Sequence, residues 1–210
     1  MGIAERKERE KQLRKAEIVT AAEKIFFSRG PEETTMEDIA AEAELSKGTI
    51  YLYFKSKEDL HREVALRASE RLIARAAFLD NKELSALEKL LELGKIFIEF
   101  TKSNPGYLKV ILFTRMPDFE RMTLSKEEIR EVIYRDSPVR LVLDFVRQGV
   151  EQKQIRSDIN PLIIANTLWS QMLGVVQLAI VNKGLLELVD MDPEVLFQSH
   201  LELVLNGIKK

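Results

Sequence analysis

The sequence contains no cysteine and only two histidines among its 210 residues. Without cysteine, a disulfide framework and a thiolate metal site are both excluded. Neither His61 nor His200 has metal-ligand spacing around it. His61 is expected to lie on the surface, and the alternative is a contact with phosphate. Nucleophile elbows and phosphate-binding glycine loops are also missing. The sequence therefore predicts no enzymatic activity, no metal site and no cofactor.

A general excess of positive charge is missing as well, because 32 basic and 34 acidic side chains give a formal net charge of −2. The basic total that marks many DNA-binding domains is therefore absent. Basic residues are concentrated locally instead. Residues 45–57 carry three lysines and no acid, whereas residues 32–44 carry six acids and no base. Residues 1–15 hold six basic and three acidic side chains, which predicts either an arm that meets phosphate or a minor groove, or a solvated extension of the first helix.

The N-terminus is charged and lacks an apolar signal segment. Residues 159–182 form an uncharged stretch of 24 residues, which is long enough to span a bilayer. This stretch contains several asparagine, glutamine, serine and threonine residues, so a helix in a helical core or a subunit interface is the favoured interpretation. We expect a soluble, cytoplasmic protein with no membrane contact.

Sustained period-two alternation and hairpin dipeptides are lacking, so the sequence predicts an all-α fold. Helix starts are marked by capping residues followed by proline, as at Asn160-Pro161 and Asp192-Pro193. Ser137-Pro138 is expected to break or kink a long helix. Besides two short helices within residues 35–54, the predicted helices cover about residues 14–28, 57–79, 83–103, 105–115, 125–153, 161–182 and 193–208.

Residues 35–57 predict two short helices at a tight turn, followed at once by the start of a third helix. Thr35 and Ser46 can cap the first two helices, and Ser56-x-x-Asp59 resembles a capping box for the third. The second helix, from Ser46 to Phe54, would span about 13 Å, with Lys47, Gly48 and Thr49 in its first turn. Helix-turn-helix proteins present this end of the second helix to base edges in the major groove.

The residues of this second helix have the chemistry that DNA contact requires. Gly48 lowers helix stability by about 1 kcal/mol relative to alanine, which is easiest to explain if a base or sugar must approach the backbone. Tyrosine hydroxyls and lysine ammonium groups are common phosphate ligands. DNA binding is therefore the leading hypothesis, and the alternative is the solvated face of a small helical domain. The predicted DNA-binding residues are Thr35, Ser46, Lys47, Gly48, Thr49, Tyr51, Tyr53 and Lys57.

The run from Ile18 to Leu60 resembles the DNA-binding domain of the tetracycline-repressor (TetR) family of transcriptional regulators. The resemblance implies an N-terminal arm and three-helix helix-turn-helix domain in residues 1–60. It also implies a helical effector-binding and dimerisation domain in residues 61–210. The matching positions are Ile18, Ala21, Ala22, Phe26, Gly30, Thr35, Ile39-Ala40, Ala43, Ser46 to Tyr51, Tyr53-Phe54 and Lys57 to Leu60.

The resemblance also assigns roles to the predicted contacts. Thr35 would touch backbone phosphate, and Lys47, Gly48 and Thr49 would lie nearest the bases. Tyr51, Tyr53 and Lys57 would hold phosphates. One departure is Glu44, which stands where the family usually has glycine, in a turn expected to need a positive φ. Glutamate there would be strained by about 1 kcal/mol or more, or the turn would differ slightly from that of the family.

The resemblance places an effector pocket and a dimer interface in the second domain. Two-fold pairing through the last two long helices would set two recognition helices about 34 Å apart. Pocket candidates are Phe97, Phe100, Thr101, Leu108, Leu112, Met116, Tyr134, Phe145, Trp169 and Met172, although apolar residues at helical spacing usually form core. Interface candidates are Ile164, Leu168, Gln171, Gly174, Leu178, Leu201 and Leu205.

These inferences predict a ligand-responsive DNA-binding regulator. The implied protein is a homodimeric repressor that leaves a palindromic double-stranded operator when a small apolar effector binds. The alternative is a helical sensing or scaffold protein in which the helix-turn-helix is only structural.

Overall fold

The computed structural model describes residues 2–112, 125–135 and 137–210 of the chain. Within these ranges the protein is all-α, and the only extended pairing is an isolated bridge between Ile155 and Lys209. The predicted fold class is confirmed. The helices are α1 Ile3–Arg29, α2 Met36–Glu42, α3 Lys47–Tyr51, α4 Lys57–Ala76, α5 Ala86–Ser103, α6 Pro105–Leu112, α7 Lys126–Arg135, α8 Pro138–Glu151, α9 Pro161–Val176, α10 Lys183–Leu188 and α11 Pro193–Ile208. A 3-10 segment, Ala77–Asn81, follows α4, and a π-helical turn, Gln177–Val181, follows α9.

The first helix is longer than predicted, since α1 begins at Ile3 and not near residue 14. Its N-terminal turns have little apolar periodicity but are supported by local polar contacts. The Gly2 amide donates to the Glu5 carboxylate at 2.8 Å, and Arg6 pairs with Glu10 at 3.0 Å. Ion pairs between residues four apart stabilise exposed helices. The N-terminal arm is therefore a helical extension of α1.

Proline divides the long helix predicted over residues 125–153. α7 ends at Arg135, and α8 begins at Pro138 with Ser137 as its N-cap. The Ser137 hydroxyl accepts a hydrogen bond from the Val139 amide at 3.3 Å. Pro138 occupies the first helical position, where its missing N–H leaves no intrahelical bond unmade. The short helix α10 was not predicted.

The chain forms two compact units, which we call unit 1 and unit 2. Unit 1 comprises Met1–Ala68 and Pro105–Pro117, and unit 2 comprises Ser69–Asn104 and Asp118–Lys210. The predicted boundary near residue 60 thus differs from the observed division. The α4 residues before Ser69 belong to unit 1 because buried Leu60, Val64 and Ala68 are part of its core.

Helix α6 belongs to unit 1 through contacts with α1. The Tyr107 ring meets the Phe27 ring edge-on at 4.8 Å, and the Tyr107 hydroxyl donates to Glu23 at 2.7 Å. Gly106 permits this approach, because a Cβ atom at its position would collide with the Phe27 ring. The sequence separation of these partners explains why local patterns assigned α6 to the second domain.

Unit 2 has its own apolar core, to which α5, α8 and α9 contribute buried residues such as Leu90, Val146 and Ile164. Among the described residues, one helix, Pro161–Val181, is long and apolar enough to cross a membrane by length and composition alone. Its mean hydropathy is 1.4, and 28% of its most apolar window is buried within the protein. Such a helix is also typical of a packed core or a subunit interface.

Candidate nucleic-acid interface and effector cavity

Helix α2 begins with the predicted cap. The Thr35 hydroxyl accepts a hydrogen bond from the Asp38 amide at 3.2 Å, and the Asp38 carboxylate accepts from the Thr35 amide at 2.9 Å. This is a capping box with aspartate at the third position of the helix. Hydrogen bonds from Thr35 and the nearby Arg29 guanidinium hold the pKa of the Asp38 carboxyl below its usual value. Because Thr35 is exposed, its backbone and hydroxyl also lie at the surface.

The turn after α2 contains a residue in the left-handed region, as predicted. Glu44 has φ of 54°, its amide donates to Ala41 O at 3.1 Å, and the Leu45 amide donates to Ala40 O at 2.9 Å. These two bonds form a Schellman motif, which satisfies the last carbonyl groups of the helix. The turn geometry is therefore kept although the residue is glutamate, at a backbone cost of about 1 kcal/mol.

Helix α3 is capped by Ser46, whose hydroxyl accepts from the Thr49 amide at 3.1 Å. The helix covers five residues and is shorter than the predicted 46–54. It ends early because the Tyr53 amide bonds to Ile50 O at 2.9 Å, which tightens the last turn to 3-10 geometry. Ile50 and Phe54 are buried, so they anchor α3 to the core of unit 1.

Among the residues that the structure describes, none requires glycine at position 48. A Cβ atom there would meet only the Ser46 hydroxyl, at 3.8 Å, and φ does not lie in the left-handed region. Because glycine weakens a helix by about 1 kcal/mol relative to alanine, its presence in an exposed first turn has no internal compensation. An external group that approaches the backbone would account for it.

Lys47 is held by an acid from the neighbouring helix. Its ammonium group pairs with the Glu37 carboxylate and lies 5.8 Å from the centre of the Tyr51 ring. The hydrogen bond from Lys47 lowers the pKa of Glu37, and the same bond raises the pKa of Lys47. Both side chains are exposed, so solvent screens the pair and a phosphate can compete for the lysine.

The start of α4 lies beside the helix-turn-helix. The Asp59 carboxylate accepts from the Ser56 amide at 3.1 Å, and Ser56 Oγ accepts from the Asp59 amide at 3.2 Å, which forms the predicted capping box. Half-buried Lys57 donates from Nζ to Glu32 O at 3.2 Å. This bond orients an ammonium group at a helix N-terminus, a combination suited to anions.

All eight predicted DNA-contact residues belong to unit 1. The sequence analysis did not predict that Glu37 pairs with Lys47, although it noted the run of six acids in residues 32–44. Thr49, Tyr53 and Lys57 are half-buried, and the other five, Thr35, Ser46, Lys47, Gly48 and Tyr51, are exposed.

His61 is a buried residue of unit 1, and the expectation that it lies on the surface is wrong. It is 7% exposed, and its ring meets the Phe26 ring edge-on at 5.6 Å. Burial lowers the pKa of His61, because the charged ring would lose its hydration. Among the described residues, none forms a hydrogen bond with its Nε2 atom.

Unit 2 contains a small apolar cavity of about 60 Å³. Its wall is apolar apart from His200, whose pKa is lowered by burial. Gly94 forms part of the wall, and it packs so closely on Leu201 that an added Cβ atom would collide with that side chain. The lining residues are Leu90, Leu93, Gly94, Phe97, Val142, Leu168, Trp169, Met172, His200, Leu201, Val204 and Leu205.

The predicted pocket residues do not all come together. Phe97, Trp169 and Met172 line the cavity, and the Phe97 and Trp169 rings are 4.9 Å apart. Leu108 and Leu112 lie on α6 in unit 1, and Met116 lies outside the described residues. The other four belong to unit 2 but do not line the cavity: Phe100, Thr101 and Phe145 are buried, and the Tyr134 hydroxyl shares hydrogen bonds with Asn166.

Sequence reasoning missed several lining residues, and Gly94 carried a usable signal. A glycine in the middle of an apolar helix lowers its stability by about 1 kcal/mol, which indicates close packing by a neighbour. Its neighbour, Leu201, is more than one hundred residues away in the sequence, so the identity of that neighbour was not readable.

The predicted interface residues have different environments in the single chain. Ile164 is buried in the core of unit 2. Gln171 and Gly174 are exposed, and Leu178 is half-buried. The remaining three, Leu168, Leu201 and Leu205, line the cavity.

A short capped helix, a tight turn and an exposed cationic helix start are the parts of a helix-turn-helix DNA-binding protein. Residues 18–64 match the family model of bacterial regulatory proteins of the tetR family. The chain belongs to the TetR family of transcriptional regulators. It is a DNA-binding regulator, in a family whose members are not enzymes.

Individual relatives resemble most of the chain. The transcriptional repressor KstR2 of Mycolicibacterium smegmatis is 26% identical over 154 residues, which cover 70% of this chain and 70% of KstR2. A tetR-family protein from Shewanella sp. PV-4 has a similar crystal structure, with a TM-score of 0.70 and 17% identity over 94% of this chain and 98% of that one. The regulator FadR of Bacillus subtilis, solved in complex with stearoyl-CoA, has a TM-score of 0.69 and 20% identity over 92% of this chain and 98% of FadR.

Proposed function

We propose that this protein is a homodimeric, cytoplasmic repressor that leaves a palindromic operator when an apolar effector binds in unit 2. The observation that carries the DNA-binding part is the exposed start of α3, where Gly48 has no internal reason to be glycine. Lys47 and Thr49 flank it in the first helical turn. In this proposal these three residues approach the bases.

The remaining predicted contacts position the helix on the DNA backbone. Thr35, Ser46, Tyr51, Tyr53 and Lys57 supply hydroxyl, backbone N–H and ammonium donors around α3. Phosphate contacts of this kind set orientation and carry no sequence information directly. Because the chain has a formal net charge of −2, two half-sites bound by one dimer would supply the affinity that net charge does not.

The last three helices support a two-fold pairing of chains. Leu188 is 82% exposed, Leu203 is 73% exposed and Ile163 is 60% exposed, although all three are large apolar residues. A helical surface of this kind is typical of a partner interface. In the proposed dimer, α9 and α11 of each chain form a four-helix bundle, to which exposed Gln171 and Gly174 contribute.

The effector is proposed to be a ligand with a fatty acyl chain. The apolar cavity wall supports an aliphatic group, and the stearoyl-CoA bound by FadR of Bacillus subtilis supports this class. A cavity of about 60 Å³ is smaller than the roughly 150 Å³ that accommodates benzene in an engineered site. A long acyl chain would therefore bind best to a conformation with a wider cavity.

This size difference supplies a physical basis for the switch. A ligand shifts an equilibrium only through different affinities for the two conformations. Ligand that selects the wider cavity would bias unit 2, and α4, whose residues fall in both units, would transmit the change to unit 1. By reciprocity, operator binding would weaken ligand binding by the same factor.

The test is operator binding with and without a defined ligand. An operator is first selected from a pool of randomised duplexes, and its affinity is then measured with stearoyl-CoA and with free coenzyme A. We expect stearoyl-CoA to lower the affinity by about tenfold or more, and coenzyme A to leave it unchanged. Stearoyl-CoA that binds, as followed by Trp169 fluorescence, but leaves DNA affinity unaltered would disprove the switch.

A second test separates the regulator from a scaffold protein with a structural helix-turn-helix. Tyr51→Ala and Lys57→Ala remove proposed phosphate ligands, and Lys82→Ala removes an exposed lysine of unit 2 as the matched control. We expect the first two variants to weaken operator binding and the control to leave it unchanged. If no duplex is selected at low salt, the proposed DNA function is wrong.

A further inference from the structure

We infer that the N-terminal overhang of α1 is a second DNA-contact surface, which binds phosphates flanking the operator half-site. The N-terminal overhang is defined as residues 4–14, all of which are exposed. It precedes the part of α1 that packs on the body of unit 1, where Ile18 is the first fully buried residue. The inference rests on the proposed operator binding and extends its surface.

The inner face of α1 changes its chemistry where the helix passes the body of unit 1. Along the body, this face buries Ile18 and Ala22. Upstream, the same three-to-four-residue spacing places Lys15, Lys11 and Lys7 on that face. The face that packs against protein in one half of α1 is therefore a row of lysines in the other half.

The acidic residues of the overhang do not pair with the lysines of this row, and of the three lysines only Lys15 has an acidic partner within the described part of the chain, Glu63 of α4. Glu10 pairs with Arg6 at 3.0 Å, towards the opposite side of the helix. Glu8 lies at the edge of the row and accepts a hydrogen bond from Gln12 at 2.7 Å. With a rotation of about 100° per residue, Arg14 lies beside the lysines on the helix surface. It pairs with Glu17, one turn further along.

Lys7 and Lys11 differ from Arg6 and Arg14, which each pair with an acid on the same helix. Among the described residues, no carboxylate forms an ion pair with either lysine. A cation that already has water as its partner exchanges it for phosphate without breaking a protein contact. Release of the counterions that surround DNA then favours binding.

The lysine row is continuous with the candidate DNA interface. Lys15 lines a surface depression of about 400 Å³ together with Tyr53 and Lys55. Its ammonium group lies 5.4 Å from the centre of the Phe54 ring and pairs with Glu63 at 2.5 Å. Because Tyr53 is a proposed phosphate ligand, the row begins at the edge of the half-site and extends about two helical turns, or roughly 12 Å, past it.

DNA is the occupant that the composition of the overhang favours. A membrane-surface helix needs an apolar face opposite its basic face. Residues 4–14 contain only one large apolar side chain, Leu13. The DNA backbone carries one negative charge per about 1.7 Å of duplex length and needs no apolar partner.

The test compares two variants that remove equal charge from opposite sides of the same helix. The lysine variant, Lys7→Gln with Lys11→Gln, removes the two lysines of the row that lie in the overhang. Arg6→Gln with Arg9→Gln is the matched control. Each is measured on the selected operator with flanking DNA on both sides and on the same operator without flanks, over a series of salt concentrations. Helix content from circular dichroism checks that both variants keep α1.

We expect the lysine variant to lower the slope of log affinity against log salt by about 3 to 4 per dimer on flanked DNA, if each of four lysines meets one phosphate. Without flanks, we expect the lysine variant and the wild-type protein to bind alike. Equal slopes for the two variants would overturn the inference. Binding of the wild-type protein to anionic vesicles that is lost in the lysine variant and kept in the arginine variant would also overturn it. If the wild-type protein selects no operator, the proposed function itself has failed.

Discussion

Unit 1 and unit 2 differ in how much apolar surface they leave uncovered. In unit 1 most large apolar residues pack in the core, although Leu13 and Leu52 are exposed, and polar caps such as Thr35 and Ser46 shape the surface. Unit 2 leaves apolar surface uncovered, both inside its cavity and outside on α9 to α11. The exposed polar surface of α3 in unit 1 suits the proposed DNA contact, whereas the uncovered apolar surface of unit 2 suits the proposed ligand and second chain.

The largest effect is expected from Phe97→Ala in unit 2. Phe97 is 2% exposed and lies against Trp169, so truncation loses its buried contacts and enlarges the cavity. We expect the free energy of unfolding to fall by about 3–5 kcal/mol. Denaturant unfolding followed by Trp169, the only tryptophan, reports on unit 2. Phe78→Ala, at an exposed phenylalanine, is the control, and an equal loss there would contradict the prediction.

Gly94→Ala is expected to have the next largest effect. The new Cβ atom would collide with Leu201 and lie 3.3 Å from Met172, so the cavity wall must shift. Overpacking of this kind costs about 1–3 kcal/mol and should also weaken ligand binding. Gly184→Ala is the matched helical control, because nothing lies within 4 Å of its added Cβ atom and α10 is not part of the proposed four-helix bundle. The stability of both variants is measured by thermal unfolding. Similar destabilisation of the two would show that Gly94 has no packing role.

A pH effect is expected from His61 in unit 1. Burial lowers its pKa below the ordinary value of 6.5, so the unfolded chain takes up a proton first as the pH falls. The stability contributed by the neutral ring is thus complete above pH 6.5 and is lost as the pH falls through the folded pKa, by at most about 1.4 kcal/mol per pH unit.

His61→Leu should flatten the difference in unfolding free energy between pH 7.5 and pH 5.5. His200→Leu provides the comparison in unit 2, where the histidine is half-buried and its pKa is also lowered by burial. We expect the smaller change at His200. An unaltered pH dependence in His61→Leu would show that other groups control acid stability.

The smallest effect is expected from Glu37→Gln. The substitution releases Lys47 from its ion pair and removes a negative charge near the proposed DNA contacts. We expect operator affinity to rise by about threefold, since exposed ion pairs are weak. Glu33→Gln removes one exposed acid nearby and controls for long-range charge. A similar rise in both variants would mean that the pairing with Lys47 is irrelevant.

Local features of the sequence predicted unit 1 well. Caps at Thr35 and Ser46 and the positive φ of Glu44 depend on neighbours within a few residues, so the sequence contains most of the information. His61 was misjudged because its burial depends on Phe26, which lies thirty-five residues earlier.

Unit 2 was less predictable because its features depend on distant contacts. The cavity is formed where α5 meets residues of α8, α9 and α11. Only three of its lining residues were predicted for the pocket, and three others were predicted for the dimer interface. α10 was missed because its six residues have no side-chain cap. The start of α1 was missed for the opposite reason, since its charged turns are stabilised by pairs such as Arg6–Glu10 and have no apolar pattern.

The length of α1 has a consequence for proteolysis. The exposed residues 4–14 contain five basic side chains, each followed by a peptide bond that trypsin recognises. Cleavage there removes no buried residue, so brief digestion should shorten the chain and leave unit 1 folded. Operator DNA that covers the lysine row would slow this cleavage, which makes the digestion pattern a direct record of contact between α1 and DNA.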